Sequence, residues 1–284
     1  MNSVSIIIPA YNEQEGIGDV LDGIIETMEK SGIGHEVIVV DDGSTDGTAE
    51  IAQRKGVKVI QHALNKGYGA ALKTGIRHAK YDVIVTTDAD GTYPGEEIPR
   101  LVNHIDEYDM VVGARMGANV HIPPLRRPVK WVLARFGNYV AGMRIPDLNS
   151  GLRALRKEVA LRFFHMLPDG FSFTTTLTLA ILTSSYNVAY VPIDYHRRVG
   201  RSKINPIADT MNFLSLVARM ALYFRPLRVF LPPGMFFALL SLSKLGYDAI
   251  VYNFSLRGTT LALLVITLEI FLLAFVADLI VAQR

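Results

Sequence analysis

The stretch Val83-Ile84-Val85-Thr86-Thr87-Asp88-Ala89-Asp90 ends a short apolar run with two carboxylates two residues apart. The run is rich in β-branched residues, which predicts a buried strand, and alternation along it points Asp88 and Asp90 in the same direction. Two carboxylates at one place repel each other unless a cation lies between them, and oxygen ligands without His or Cys favour Mg²⁺ or Mn²⁺. The alternative interpretation is that both are turn residues that follow a strand.

The residues before this stretch alternate between strand patterns and helix patterns. The predicted strands are residues 4–9, 36–40 and 57–61, and helical apolar spacing follows each of them. This order is typical of a mostly parallel α/β sheet, in which ligands bind at the carboxyl ends of the strands. We therefore expect the loops Pro9–Glu13, Asp41–Ser44 and Asp88–Asp90 to meet over one crevice.

Charges and apolar residues are unevenly distributed along the chain. The formal net charge is only +2, and half of the residues are hydrophobic. Residues 120–165 hold nine Lys or Arg against Asp147 and Glu158, so this segment is expected to bind anions. The absence of cysteine excludes disulfides and thiol nucleophiles and is consistent with a reducing compartment. The first residues lack the basic and apolar regions of a cleavable signal peptide, so we expect none.

The C-terminal quarter of the chain is markedly apolar. Residues 229–252 and 259–282 are each long enough to cross a bilayer, which predicts a transmembrane hairpin at 229–284. Arginines and aromatic residues before it predict an amphipathic interface helix at 209–228. Residues 1–208, by contrast, have the composition of an ordinary globular domain.

The charges around the hairpin predict its orientation. Three arginines precede the first span and one lies in the link, so the positive-inside tendency places the N-terminal domain in the cytoplasm. These arginines are Arg219, Arg225, Arg228 and Arg257. Within the first span, Lys244 and Asp248 are four residues apart and are expected to pair on one helix. Glu269 and Asp278 in the second span are candidate functional residues, and the alternative is that they make polar contacts between helices or protomers.

Seven short motifs, in order across residues 6–203, resemble those of the inverting GT-A glycosyltransferases of family 2. The last three motifs are similar to the polyprenyl-phosphate branch, which includes dolichol-phosphate mannose and glucose synthases. Other nucleotide-binding folds fit less well, because Gly67-Tyr68-Gly69 lacks the third glycine of a dinucleotide fingerprint and the chain contains no P-loop. The motifs are Ile8-Pro9-Ala10-Tyr11-Asn12-Glu13, Val40-Asp41-Asp42-Gly43-Ser44, Asn65-Lys66-Gly67-Tyr68-Gly69, Asp88-Ala89-Asp90-Gly91, Gly113-Ala114-Arg115, Asp147-Leu148-Asn149-Ser150-Gly151-Leu152-Arg153 and Arg198-Val199-Gly200-Arg201-Ser202-Lys203.

The resemblance implies a GT-A nucleotide-sugar-binding domain in which Asp88 and Asp90 act in catalysis and bind Mg²⁺ or Mn²⁺. It implies further catalytic roles for basic residues that hold phosphates, namely Arg115, Arg127, Arg198 and Lys203. It implies a substrate-binding set made up of Pro9, Tyr11, Glu13, Asp41, Asp42, Lys66, Ala89, Arg201 and Ser202. The chain departs from the family at Thr92, where a further glutamine ligand is common. It also departs in the helix after Gly170-Phe171, where an acidic residue is common and this chain reads Ser172-Phe173-Thr174-Thr175-Thr176-Leu177.

The resemblance also implies a function, which is transfer of a hexose from a UDP- or GDP-sugar to a polyprenyl (dolichyl or undecaprenyl) phosphate at the cytoplasmic membrane. The expected partners are the donor, the lipid acceptor and the membrane, with no nucleic acid and with a homo-oligomer as an option. One alternative is another lipid acceptor such as diacylglycerol. A second alternative is a processive polysaccharide synthase, although the Q-x-x-R-W motif expected of such enzymes is absent from this sequence. A non-catalytic lipid-binding scaffold is a third, and the intact Asp88 and Asp90 argue against it.

Overall fold

A computed structural model describes residues 3–116, 144–196, 225–253 and 257–282, together with residues 135, 138, 139, 142, 222 and 223. The chain divides into two compact units, Met1–Phe213 and Leu214–Arg284. The predicted domain boundary after residue 208 remains a prediction. Most of the predicted interface helix lies outside the described residues, as do five residues predicted to bind substrate or phosphate. These are Arg127, Arg198, Arg201, Ser202 and Lys203.

Strands and helices alternate between Val4 and Thr86, as the sequence predicts. The described strands are β1 (Val4–Ala10), β2 (His35–Asp41), β3 (Lys58–Gln61), β4 (Val83–Thr86), β5 (Met110–Arg115), β6 (Arg153–Arg156) and β7 (Val188–Ile193). The described helices are α1 (Ile17–Ser31), α2 (Thr48–Arg54), α3 (Tyr68–His78), α4 (Ile98–Val102), α5 (Lys157–Arg162), α6 (Phe173–Thr183), α7 (Pro226–Val251) and α8 (Gly258–Ala282), with a short 3₁₀ helix at Gly95–Glu97.

The described strands form one sheet in the order β3-β2-β1-β4-β6-β5-β7. All neighbours are parallel except β6, which runs antiparallel to β4 and β5. β1 and β4 are buried along their whole length, as expected for apolar strands covered on both faces. The predicted mostly parallel α/β sheet is therefore confirmed, and the carboxyl ends of β2, β1 and β4 lie side by side at one edge.

The second unit contains the predicted pair of long apolar helices, α7 and α8, each long and apolar enough to cross a membrane. α8 matches its predicted span to within one residue. α7 begins at Pro226 instead of residue 229, so the last residues of the predicted interface helix belong to α7. The physical reason is that proline is well tolerated in the first turn of a helix, where its missing N–H has no partner to lose.

Small and polar residues line the contact between α7 and α8. Gly234, Ser241 and Asp248 recur at intervals of seven along α7, and the Ser241 hydroxyl lies 3.0 Å from the hydroxyl of Thr267. Asp248 is fully buried, accepts a hydrogen bond from the Thr260 hydroxyl and forms the predicted ion pair with Lys244. Such residues allow close approach of two helices in an apolar environment.

Candidate active site

The loops after β1 and β2 are joined by hydrogen bonds at the carboxyl edge of the sheet. The N–H of Asn12 donates to Ser44 Oγ (2.9 Å), and Asn12 Oδ1 accepts from the N–H of Thr45 (2.8 Å). The N–H of Glu13 donates to Thr48 Oγ1 (2.9 Å). These bonds hold together the segments that carry four predicted substrate-binding residues. Of the four, Pro9 and Asp41 are buried and Tyr11 and Glu13 are half-buried.

Asp42 holds the glycine-rich loop that precedes α3. Its Oδ1 accepts from the N–H of Lys66 (2.9 Å), and its Oδ2 accepts from the N–H of Gly67 (2.7 Å). The ring of His62 adds a contact of 2.7 Å to Oδ1. Gly67 has a φ of +103°, which favours glycine at this position. Asp42 therefore positions the loop that carries the exposed Lys66, and both of its oxygens are used in doing so.

Asp88 lies between the ring of Tyr68 and the backbone of Gly151. The Tyr68 hydroxyl donates to Asp88 Oδ1 (2.9 Å), and a Cβ added to Gly151 would lie only 2.8 Å from Asp88 Oδ2. Tyr68 also stacks on Phe171, with ring centroids 5.6 Å apart. Burial and the charge of Asp88 raise the pKa of Tyr68 well above its usual range. The phenol thus stays protonated at neutral pH and acts as a hydrogen-bond donor to this carboxylate.

Asp90 is buried, and its carboxylate is oriented by Thr92. Thr92 Oγ1 donates to Asp90 Oδ1 (2.6 Å), and the N–H of Thr92 donates to the same oxygen (3.1 Å). The residue between the two aspartates, Ala89, is buried. The hydroxyl of Thr92 therefore supports an aspartate in this chain. No group of three or more His, Asp or Glu suited to a metal occurs among the described residues.

Arg115 lies at the end of β5 and is paired with Asp147. Its Nε and Nη2 donate to the two carboxylate oxygens of Asp147 at 2.7 and 2.8 Å, and its guanidinium lies 5.3 Å from the ring centroid of Tyr195. Burial raises the pKa of the Asp147 carboxyl, but the hydrogen bonds and charge of Arg115 outweigh it and leave that pKa lowered. The pKa of Arg115 is raised in turn, so the pair is ionised at neutral pH.

The segment Asp147–Gly151 connects Arg115 to Asp88. Arg153 is buried and fixes this segment from behind, because its guanidinium donates to the carbonyl oxygens of Leu148 (3.2 Å) and Ser150 (2.6 Å). The N–H of Gly151 donates to the hydroxyl of Tyr93 (2.7 Å). One rigid segment therefore contacts the predicted phosphate-binding arginine at one end and the predicted metal ligand at the other.

Asp88 and Asp90 were predicted from the sequence, but the contacts of the residues that hold them were not. Tyr68, Thr92 and Gly151 contact these carboxylates from other parts of the chain or from the following turn. A signal was present for two of them, because Tyr68 lies between two glycines and Gly151 lies within one of the seven motifs. Neither the glycines around Tyr68 nor the motif around Gly151 predicts which carboxylate the residue contacts.

Comparison with known proteins supports the architecture. Residues 5–164 match the model of glycosyl transferase family 2, and residues 225–282 match the GtrB C-terminal hairpin. The chain is 34% identical over 210 residues to a dolichyl-phosphate hexose transferase of Haloferax volcanii, covering 73% of this chain and 89% of that protein. It is 30% identical over 216 residues to an undecaprenyl-phosphate mannosyltransferase of Micrococcus luteus, covering 71% of this chain and 87% of that protein.

Solved structures share the fold. Glucosyl-3-phosphoglycerate synthase from Mycobacterium tuberculosis, in complex with UDP, superposes with a TM-score of 0.63 at 21% identity, covering 78% of this chain and 80% of that chain. The same enzyme in complex with Mn²⁺, UDP and glucosyl-3-phosphoglycerate gives a TM-score of 0.59 at 23% identity, covering 78% of this chain and 79% of that chain. The hairpin match and the two apolar helices indicate a membrane protein. The chain belongs to glycosyl transferase family 2 and is a glycosyltransferase with the GT-A fold.

Proposed function

We propose that this glycosyltransferase moves a hexose, with inversion, from a UDP- or GDP-sugar to a polyprenyl phosphate. The observation that carries the proposal is the segment Asp147–Gly151, which contacts Asp88 at one end and Arg115 at the other. A donor diphosphate near Asp88 and an acceptor phosphate near Arg115 would then face each other across one segment. The names of the relatives from Haloferax volcanii and Micrococcus luteus support a lipid-phosphate acceptor.

The residues at the end of β4 fit a divalent cation. Mg²⁺ and Mn²⁺ are commonly held by one or two carboxylates together with substrate phosphates, and Asp88 and Asp90 supply two. Tyr68 and Thr92 each donate to the Oδ1 atom of one aspartate, which orients the two carboxylates that would hold the cation. When bound, the cation neutralises the negative charge that grows on the leaving diphosphate. The Mn²⁺ complex of the mycobacterial enzyme supports this proposal.

The acceptor phosphate is already anionic at neutral pH, so the reaction needs no protein base to activate the nucleophile. A phosphate oxygen attacks the anomeric carbon while the bond from that carbon to the nucleoside diphosphate breaks on the opposite face. Asp147 holds Nε and Nη2 of Arg115, which leaves Nη1 as the donor directed to the acceptor phosphate. Arg127, Arg198 and Lys203 remain predicted to add positive charge there.

We infer that residues 1–208 form the catalytic domain, that 209–225 lie in the membrane interface and that the segment from Pro226 onward anchors the chain. The excess of arginine before the first span supports a cytoplasmic catalytic domain. This placement suits a polyprenyl phosphate, whose phosphate lies at the membrane surface while its chain lies in the bilayer. The hairpin is also the candidate surface for a homo-oligomer.

The proposed function is tested by release of nucleoside diphosphate from a panel of UDP- and GDP-sugars. The full chain in detergent is assayed with Mg²⁺ or Mn²⁺, with and without a polyprenyl phosphate. We expect turnover of one donor only when the lipid phosphate is present. Equal turnover with diacylglycerol, or none with any donor, would contradict the proposal.

Tyr68→Phe is expected to raise the Mg²⁺ or Mn²⁺ concentration needed for half-maximal rate by about 10-fold to 100-fold. The reason is that the variant loses only the hydroxyl that orients the Asp88 carboxylate. The measurement is a metal titration of the donor-release rate. Tyr186→Phe is the matched control, since the Tyr186 hydroxyl accepts from Arg162 at the protein surface. An unchanged metal requirement in Tyr68→Phe would show that this hydrogen bond does not support the site.

A further inference from the structure

Asn149 occupies the middle of the segment between the two phosphate-binding ends of the site. Two residues before it, Asp147 pairs with Arg115, and two residues after it, Gly151 lies against Asp88. The Asn149 side chain is exposed, although both neighbouring residues are held by Arg153 through their carbonyl groups. Its position is therefore fixed by the backbone, and its amide is open to a ligand.

The orientation of the Asn149 amide is set by two buried hydroxyl groups. Thr174 Oγ1 donates to Asn149 Oδ1 at 2.7 Å, and Thr175 Oγ1 donates to the same atom at 3.3 Å. Thr174 is 3% exposed and Thr175 is fully buried in the first turn of α6. Because Oδ1 accepts both bonds, Nδ2 is the remaining polar atom of the amide, and no described residue accepts a hydrogen bond from it.

We propose that Asn149 determines sugar specificity by donating a hydrogen bond from Nδ2 to a hydroxyl oxygen of the transferred hexose. Thr174 and Thr175 are then positioning residues that hold the amide in the donating orientation. This inference rests on the proposed function, because in-line transfer places the hexose between the leaving diphosphate near Asp88 and the attacking phosphate near Arg115. The middle of the segment is where the sugar ring would pass.

The chemistry of the first turn of α6 favours this role. Threonine occupies positions 174, 175 and 176, so this turn offers the sugar no carboxylate. A neutral amide donor suits a neutral hydroxyl group and adds no charge beside two anionic phosphates. A donor fixed in one orientation also rejects an analogue that lacks the matching oxygen, because the N–H then loses its partner.

The first test measures binding to the full chain in detergent. Titration calorimetry gives the dissociation constants of UDP, GDP, UDP-glucose and GDP-mannose for the wild type and for Asn149→Ala. We expect Asn149→Ala to weaken binding of the preferred nucleotide sugar by about 10-fold, the effect of one hydrogen bond, and to change binding of its nucleoside diphosphate by less than about two-fold.

The second test uses kinetics with deoxy-sugar donors to compare loss of the Asn149 amide with loss of the threonine hydroxyl that orients it. The wild type should discriminate against one deoxy donor by about 10-fold in kcat/KM, and Asn149→Ala should lose this discrimination at that position alone. Thr174→Val should lose part of it, because the amide is no longer held. Thr183→Val is the matched control in the same helix, since the Thr183 hydroxyl donates only to carbonyl oxygens one turn earlier, and it should discriminate like the wild type.

The outcomes distinguish this inference from the proposed function. If Asn149→Ala binds the preferred nucleotide sugar as tightly as the wild type does, the inference is overturned whatever the turnover assay gives. If the wild type is active and Asn149→Ala lowers kcat/KM equally for the parent and every deoxy donor, the inference is overturned while the proposed function stands. If binding of the sugar nucleotide depends on Asn149 but no lipid phosphate is glycosylated, the acceptor in the proposed function is wrong.

Discussion

Asp90→Ala is expected to lower kcat/KM for glycosyl transfer by about 1,000-fold. Asp90 is one of two carboxylates at the end of β4, and it is 8% exposed, so the surrounding solvent cannot replace its charge. Without it a divalent cation would be held by Asp88 alone, and the charge that develops on the leaving diphosphate would be poorly compensated. The measurement is nucleoside diphosphate release over a range of Mg²⁺ and Mn²⁺ concentrations.

Asp90→Asn separates the charge from the local structure. The asparagine keeps an oxygen that accepts from Thr92, so the turn after β4 is expected to survive, with a melting temperature close to that of the wild type. Activity should nevertheless be almost as low as in Asp90→Ala. Glu96→Gln, which changes an exposed acid a few residues later, is the control and should be fully active. Activity of Asp90→Asn within ten-fold of the wild type would contradict a metal-binding role.

The structural features that are determined by short stretches of sequence were predictable. The strand and helix order, and the edge where the loops after β1, β2 and β4 meet, depend on local apolar patterns and on the rule for parallel sheets. The two spans were predictable because length and hydropathy are local properties. The Lys244–Asp248 pair was predictable because two residues four apart in sequence lie next to each other on a helix.

The contacts that were not predicted join residues that are distant in sequence. Asp42 was assigned to substrate, yet its carboxylate accepts hydrogen bonds from Lys66 and Gly67 in the loop before α3. Arg115 was predicted to hold a phosphate, and its bidentate pair with Asp147 was not predicted. The residue types predict only that a buried carboxylate accepts hydrogen bonds and that a buried guanidinium donates them. Only the packing of the sheet decides which partner each one meets.

Gly151→Ala is expected to lower kcat/KM by about 100-fold and to leave the fold intact. The added methyl would lie 2.8 and 2.9 Å from the two carboxylate oxygens of Asp88, closer than van der Waals contact allows. Gly151 does not have a positive φ, so alanine strains no backbone dihedral. The carboxylate must therefore rotate away, and its hydrogen bond from Tyr68 is lost. Overpacking of this kind costs about 1–3 kcal/mol of stability, which thermal unfolding would report.

A double-mutant cycle identifies the cause of that loss. If the methyl acts by pulling Asp88 away from Tyr68, then Tyr68→Phe should have little further effect in the Gly151→Ala background, and the two changes should be strongly non-additive in metal requirement. Gly23→Ala on α1 is the matched control, because an added Cβ there meets nothing within 4 Å. That control should be fully active and about 0.5–1 kcal/mol more stable, since alanine is the better helix former. Independent, additive effects would mean that Gly151 limits the space for substrate and does not position Asp88.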